Sequence, residues 1–175
     1  GITEKTGIQR IQTRLIIEED ASASFLAHCL FPFVESGEHR MDATLEIKEG
    51  AHVRYNESHY QGTNGGMVVV PKAIVSVGPG AQYFSDFSLT KGRVGQLHID
   101  YVVQVAASAV AELTSKVFGR GNDIIHIKEK MVLAGENARG LIKTRVALEH
   151  DAQGEMTGIM EAHAKGARGH VDCRE

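Results

Sequence analysis

An alternation of apolar and polar residues returns along almost the whole chain and is cut at short intervals by glycine. This pattern, more than any other, limits what the chain can fold into. Residues two apart in an extended strand share a face, so a period of two marks strands with one dry and one wet side. Ala51, Val53 and Tyr55 alternate with His52, Arg54 and Asn56. Leu97, Ile99, Tyr101, Val103 and Val105 alternate with His98, Asp100, Val102 and Gln104, and Ile142, Thr144, Val146 and Leu148 with Lys143, Arg145, Ala147 and Glu149. Corners follow at KEGA (48–51), GPGA (78–81), TKGRVG (90–95), FGRGND (118–123) and AKGA (164–167), where glycine can take backbone angles that other residues resist. IKEGAHV and VGPGAQY share one frame 30 positions apart, the kind of echo a solenoid leaves. Residues 102–118 could also form a helix, with Val102, Ala106, Ala109, Val110, Leu113 and Val117 on one stripe. The alternation that enters this segment from residue 97 favours strand. A chain of many even strands and glycine corners is a solenoid or a sandwich.

At 175 residues, 42% of them apolar and 23% charged, the chain has the size and composition of one globular domain. Its longest apolar run, Met67 to Pro71, is far short of a membrane span, and no export signal opens it. The expected location is the cytoplasm. A net charge of −3 with scattered basic residues leaves no stripe for a phosphate backbone, so neither nucleic acid nor membrane is an expected partner. Cys29 and Cys173 read as two free thiols rather than a disulfide. The glycine-rich GRGND and TKGRVG lack the G-x-x-x-x-G-K-[ST] frame that cradles a nucleotide.

DFSLTKGRVGQLHIDY, the long block AVAELTSKVFGRGNDIIHIKEKMVLAGENARGLIKTRVAL and the terminal GARGHVDC, together with RLIIEEDASASFLAHC near the start, resemble the SufB/SufD family of iron–sulfur cluster assembly proteins. The likeness is nearest to archaeal-type members that work without a separate SufD. It implies an all-β fold, a right-handed parallel β-helix, over residues 1–175 as a single core domain. It also implies a core fragment that lacks the helical part binding a SufC-type ABC ATPase. The implied role is that of a scaffold rather than an enzyme, carrying a transient iron–sulfur cluster. Its partners would be a second copy or a SufB/SufD paralogue, the ATPase, a sulfur donor and apo-protein acceptors.

Cys173 matches the family position regarded as main sulfur acceptor or cluster ligand, a role suited to a thiolate. If GHVDC is a strand, Val171 and Cys173 share one face while His170 and Asp172 share the other, which counts against a Cys/His pair within the strand. Asp172 enters as an oxygen ligand because the related pattern carries an acid there, although an outward surface charge explains it equally well. In VRYNESHYQG (53–62), the parity of Ala51, Val53 and Tyr55 carries Glu57 and His59 onto the apolar face. Either they are buried and must pair or ligate, or the strand leaves the core at Glu57. Cys29, in LAHCLFPF, matches a position near the start of the family's β-helix, but its apolar neighbours favour plain burial. The remaining histidines, 28, 39, 52, 98, 126, 150 and 163, show no tight metal spacing, and most are read as surface residues.

Two rivals stand beside the scaffold. One is a non-catalytic, SufD-like structural partner. The other is a polysaccharide-active β-helix enzyme, which would want aromatic platforms and paired carboxylates; against it stand the absence of tryptophan, only four tyrosines and the lack of a close Asp/Glu pair in a promising frame.

Overall fold

The computed structural model describes residues 1–175 as twelve strands with no helix: β1 (Thr6–Ile17), β2 (Ser22–Phe31), β3 (Ser36–Ile47), β4 (His52–Gln61), β5 (Met67–Val77), β6 (Gln82–Lys91), β7 (Gly95–Val105), β8 (Val110–Gly119), β9 (Ile124–Leu133), β10 (Arg139–Leu148), β11 (Gln153–Ala162) and β12 (Arg168–Arg174). Odd strands form one parallel sheet in the order β1-β3-β5-β7-β9-β11, and even strands form a second in the order β12-β10-β8-β6-β4-β2. The backbone therefore alternates between two sheets and climbs one strand per visit. This is a parallel β-helix of six coils, each contributing one strand to either sheet. No helix is long and apolar enough to cross a membrane.

The 30-residue echo in the sequence is one coil. Leu15 stacks on Leu45 and Leu45 on Val75, while Phe25 stacks on Tyr55 and Val53 on Tyr83. Each inward row repeats chemically similar residues, and the space between the sheets fills with a continuous core of 34 buried residues. Residues 102–118 are strands β7 and β8, broken at Ala106–Ala109 by a corner. Leu97, Ile99, Tyr101, Val103 and Val105 are all buried, as their parity predicts.

One corner recurs at every coil. Asp20, Gly50, Gly80, Ser108, Asn137 and Gly166 all take φ between 56° and 73°. Each of the first five donates its backbone N–H to the next coil's corner, at Glu49, Pro79, Ala107, Glu136 and Lys165 respectively. Gly50 has a second reason to be glycine, because a Cβ there would lie 2.1 Å from the Asp20 carboxylate oxygen. On another corner the buried Asp123 carboxylate accepts N–H bonds from Val94, Gly95 and Arg120 and pairs with Arg93.

The inward and outward assignment predicts unequal effects of trimming neighbouring strand residues. Leu97→Ala should cost about 2–5 kcal/mol, the usual range for emptying a packed leucine site, and Val102→Ala, on the outer face, less than about 1 kcal/mol. Urea midpoints at unchanged m-value measure both.

Candidate functional site

Inside the first two coils the apolar rows are interrupted by a polar group. On β4 the core-facing parity of Val53 and Tyr55 runs on through Glu57 and His59, and both are buried. The strand does not leave the core. On β3 the same parity runs backward from Ile47, Leu45, Ala43 and Met41 to His39, which is fully buried. On β2 it ends at the buried Cys29 and Phe31. Cys29 and His59 are direct partners in adjacent strands, and His39 meets Cys29 from the opposite sheet. One ligand atom from each of Cys29, His39, Glu57 and His59 lies within 4.8 Å of all the others.

His59 Nε2 donates to Glu57 Oε1 at 2.6 Å, and Cys29 Sγ lies 3.6 Å from His39 Nε2. Phe31 packs on both imidazoles, with centroids 5.0 Å from His39 and 6.2 Å from His59, and Phe87 covers His59 from the other side at 5.0 Å. Tyr55, Tyr83 and Tyr101 line the core beside Glu57. Burial, reinforced by the nearby carboxylate, pushes Tyr101 well up and Tyr83 to about 12 despite a hydrogen bond to Ser85 that opposes the rise. In so poorly solvated a place an ionised Glu57 needs a cation beside it. Burial works against a charge on His59, but its hydrogen bonds to Cys29 and Glu57 outweigh that effect and raise its pKa to about 9. His39 goes the other way. Burial, followed by repulsion from His59, lowers it to about 4.

The structure corrects the reading of His39 as a surface histidine. It bears out surface placement for His28, His52, His126, His150 and His163, and leaves His98 partly buried. His39 was legible by the parity that exposed Glu57 and His59. So was Glu129, which follows Ile125 and Ile127 on the inner face of β9. Its buried carboxylate accepts hydrogen bonds from Ser115 Oγ at 2.7 Å and Thr144 Oγ1 at 2.6 Å, and burial raises its pKa.

Cys173 lies elsewhere. It is on β12 in register with Thr144 of β10. Three strands separate β12 from β4 in the sheet, which at about 4.8 Å per step places Cys173 about 19 Å from the row of His59 and Glu57. One chain therefore does not gather Cys173, His59 and Glu57 around one ion. Cys173 is exposed, and its sulfur and the Val171 side chain both lean toward Gly158 of the opposite sheet. The parity reading of GHVDC holds. The Asp172 carboxylate points to the other face, where Arg145 pairs with it and Arg174 Nε donates at 3.0 Å. The hydrogen bond from Arg145, ahead of that from Arg174, lowers its pKa, and both guanidiniums occupy the carboxylate that would otherwise be offered to a metal. His170, on that same side of the strand, is exposed.

Residues 2–175 match the family described as SUF system FeS cluster assembly, SufBD core domain. The chain belongs to the SufBD family. Among curated SufBD relatives, an iron–sulfur cluster assembly SufBD family protein of Methanocaldococcus jannaschii is 35% identical over 175 residues, covering 100% of this chain and 55% of the relative. Another, from Pyrococcus horikoshii, is 28% identical over 177 residues, covering 100% of this chain and 53% of the relative. The chain spans about half the length of the curated SufBD relatives it matches.

The two histidines make the SufBD core's stability depend on pH in opposite directions. His59, raised from 6.5 to about 9, contributes stability that is complete below pH 6.5 and lost as pH rises through 9. His39, lowered from 6.5 to about 4, contributes stability that is complete above pH 6.5 and lost as pH falls toward 4. With chelator present, urea midpoints should fall on both sides of neutrality. His59→Gln should flatten the alkaline fall and His39→Gln the acid one.

Proposed function

We propose that this chain is the core of a scaffold for iron–sulfur cluster assembly, with Cys173 as the thiol that receives sulfur and iron. Membership of the SufBD family supports the process. What supports the residue is its place in the block GARGHVDC, which resembles the family position of the sulfur acceptor, while Cys29 is buried beside Phe31 and His39. A thiol that meets a donor protein must be reachable. Sulfur would arrive by exchange. The Cys173 thiolate attacks the outer sulfur of a donor's persulfide, a new S–S bond forms on Cys173, and the donor departs as a thiolate, so no outside oxidant is consumed.

The remaining ligands come from a second SufBD chain, a copy of this one or a paralogue. A lone thiol cannot hold a cluster, and Asp172 is occupied by Arg145 and Arg174. ATP hydrolysis belongs to a SufC-type ABC ATPase acting on the longer protein of which the core is a part. Incomplete ligation by each chain suits a scaffold that must give its cargo away, because a full set of four thiolates would hold it too tightly.

Anaerobic reconstitution of the full-length protein with ferrous iron and sulfide, followed by absorption and Mössbauer spectroscopy, tests this reading. The wild type should load a cluster and Cys173→Ala should lose it. A Cys173→Ala protein that loads a full cluster would refute the assignment.

A further inference from the structure

We propose that Cys29, His39, Glu57 and His59 form a mononuclear site for a borderline divalent transition metal, Zn²⁺ or Fe²⁺, inside the first two coils. The site does not depend on Cys173 or on the cluster-assembly reading.

Donor chemistry narrows the ion. One sulfur, two imidazole nitrogens and one carboxylate oxygen form a mixed set that suits zinc and ferrous iron. Calcium and magnesium favour all-oxygen surroundings and are poorly matched to it. The spacing is close to what tetrahedral binding needs. Bonds of about 2.3 Å to sulfur and about 2.0–2.1 Å to nitrogen and oxygen put neighbouring donors about 3.3–3.6 Å apart. Cys29 Sγ and His39 Nε2 are already at 3.6 Å, and no pair in the group exceeds 4.8 Å. The His59–Glu57 hydrogen bond at 2.6 Å is the contact that has to open, by less than about 1 Å on the same bond lengths.

Charge points the same way. A thiolate, a carboxylate, two neutral imidazoles and a dication sum to zero, and zero is the cheapest total for a site walled by Phe31 and Phe87. The buried polar atoms without a partner concentrate here as well. Five such side-chain atoms occur in the chain, and four belong to His39, His59 and Gln61. Gln61 follows His59 on the same face of β4, with both ends of its buried amide unpaired. The unpaired histidine atoms are Nδ1, not the Nε2 atoms whose distances are given above, so with the Gln61 amide they mark a place for water beside the ion, not the ion's own position.

Four protein ligands with no open position define a closed, structural kind of site. It takes Cys29 from the first coil and His39, Glu57 and His59 from the second, so a bound ion clamps one coil to the next.

Full-length protein, purified anaerobically and stripped with chelator, would be titrated with Co²⁺ as a spectroscopic probe and with Zn²⁺. Bound metal would be counted by mass spectrometry, and X-ray absorption would read its neighbours. The expected result is one ion per chain with a single sulfur neighbour, a thiolate-to-cobalt charge-transfer band and a higher Tm with zinc. Cys29→Ser and His39→Ala should each lose the band, whereas Cys173→Ser should keep it. Circular dichroism separates a lost site from a lost fold, and the X-ray absorption of the wild type needs no variant at all. Absence of a bound ion, a coordination shell without sulfur, or a band that survives in folded Cys29→Ser would overturn the proposal. Loss of cluster loading in Cys173→Ala with the cobalt band intact would separate the two sites.

Discussion

Parallel, in-register stacking of coils is the constraint from which the rest of this molecule follows. The chain makes 122 backbone hydrogen bonds, 89 of them within strands, and the ladders they form tie each residue to its counterpart one coil away. A side chain's neighbours are thereby set by two quantities. The parity of its position decides whether it faces the core, and its coil decides what lies above and below it. The 34-residue core is the outcome when nearly every inward position is apolar. A polar residue admitted to an inward row cannot turn to solvent and has to find a partner in the next strand or across the gap. Ser115, Thr144 and Glu129 satisfy one another in that way, and Cys29, His39, Glu57 and His59 do so with less hydrogen bonding to spare.

The first kind of information was legible in the amino-acid sequence. Alternation located the strands and their dry faces, and the same parity carried Glu57 and His59 inward against the ordinary preference of such residues for water. It would have carried His39 and Glu129 inward too. Histidine's frequency on surfaces hid the first, and the isolation of a single acid in a lysine-rich strand hid the second. Coil assignment was much less legible. Cys173 and His59 share an inward orientation, and nothing in their local patterns says that three strands intervene. Which coil a strand occupies depends on counting every corner correctly, and half of one corner's stack is not glycine. Asp20, Ser108 and Asn137 hold the left-handed conformation there; for Asp and Asn the cost is small because they tolerate that region better than most residues.

The two thiols separate the chemical demands on a SufBD core. Cys29 is enclosed by aromatic rings and imidazoles, where nothing large can approach it. Cys173 lies on β12 with its sulfur on the opposite face from the arginines that Asp172 holds. The two cysteines thus sit in different coils with different neighbours, and one stack of strands gives each sulfur its own surroundings.

A stack in which each coil touches only the coils before and after it is only as firm as the junctions between successive coils. The group that joins Cys29 to His39 and His59 spans the junction between the first coil and the second. It ties those two coils together at that point, so how firmly the junction holds should depend on the protonation and occupancy of four side chains and not on hydrocarbon packing alone.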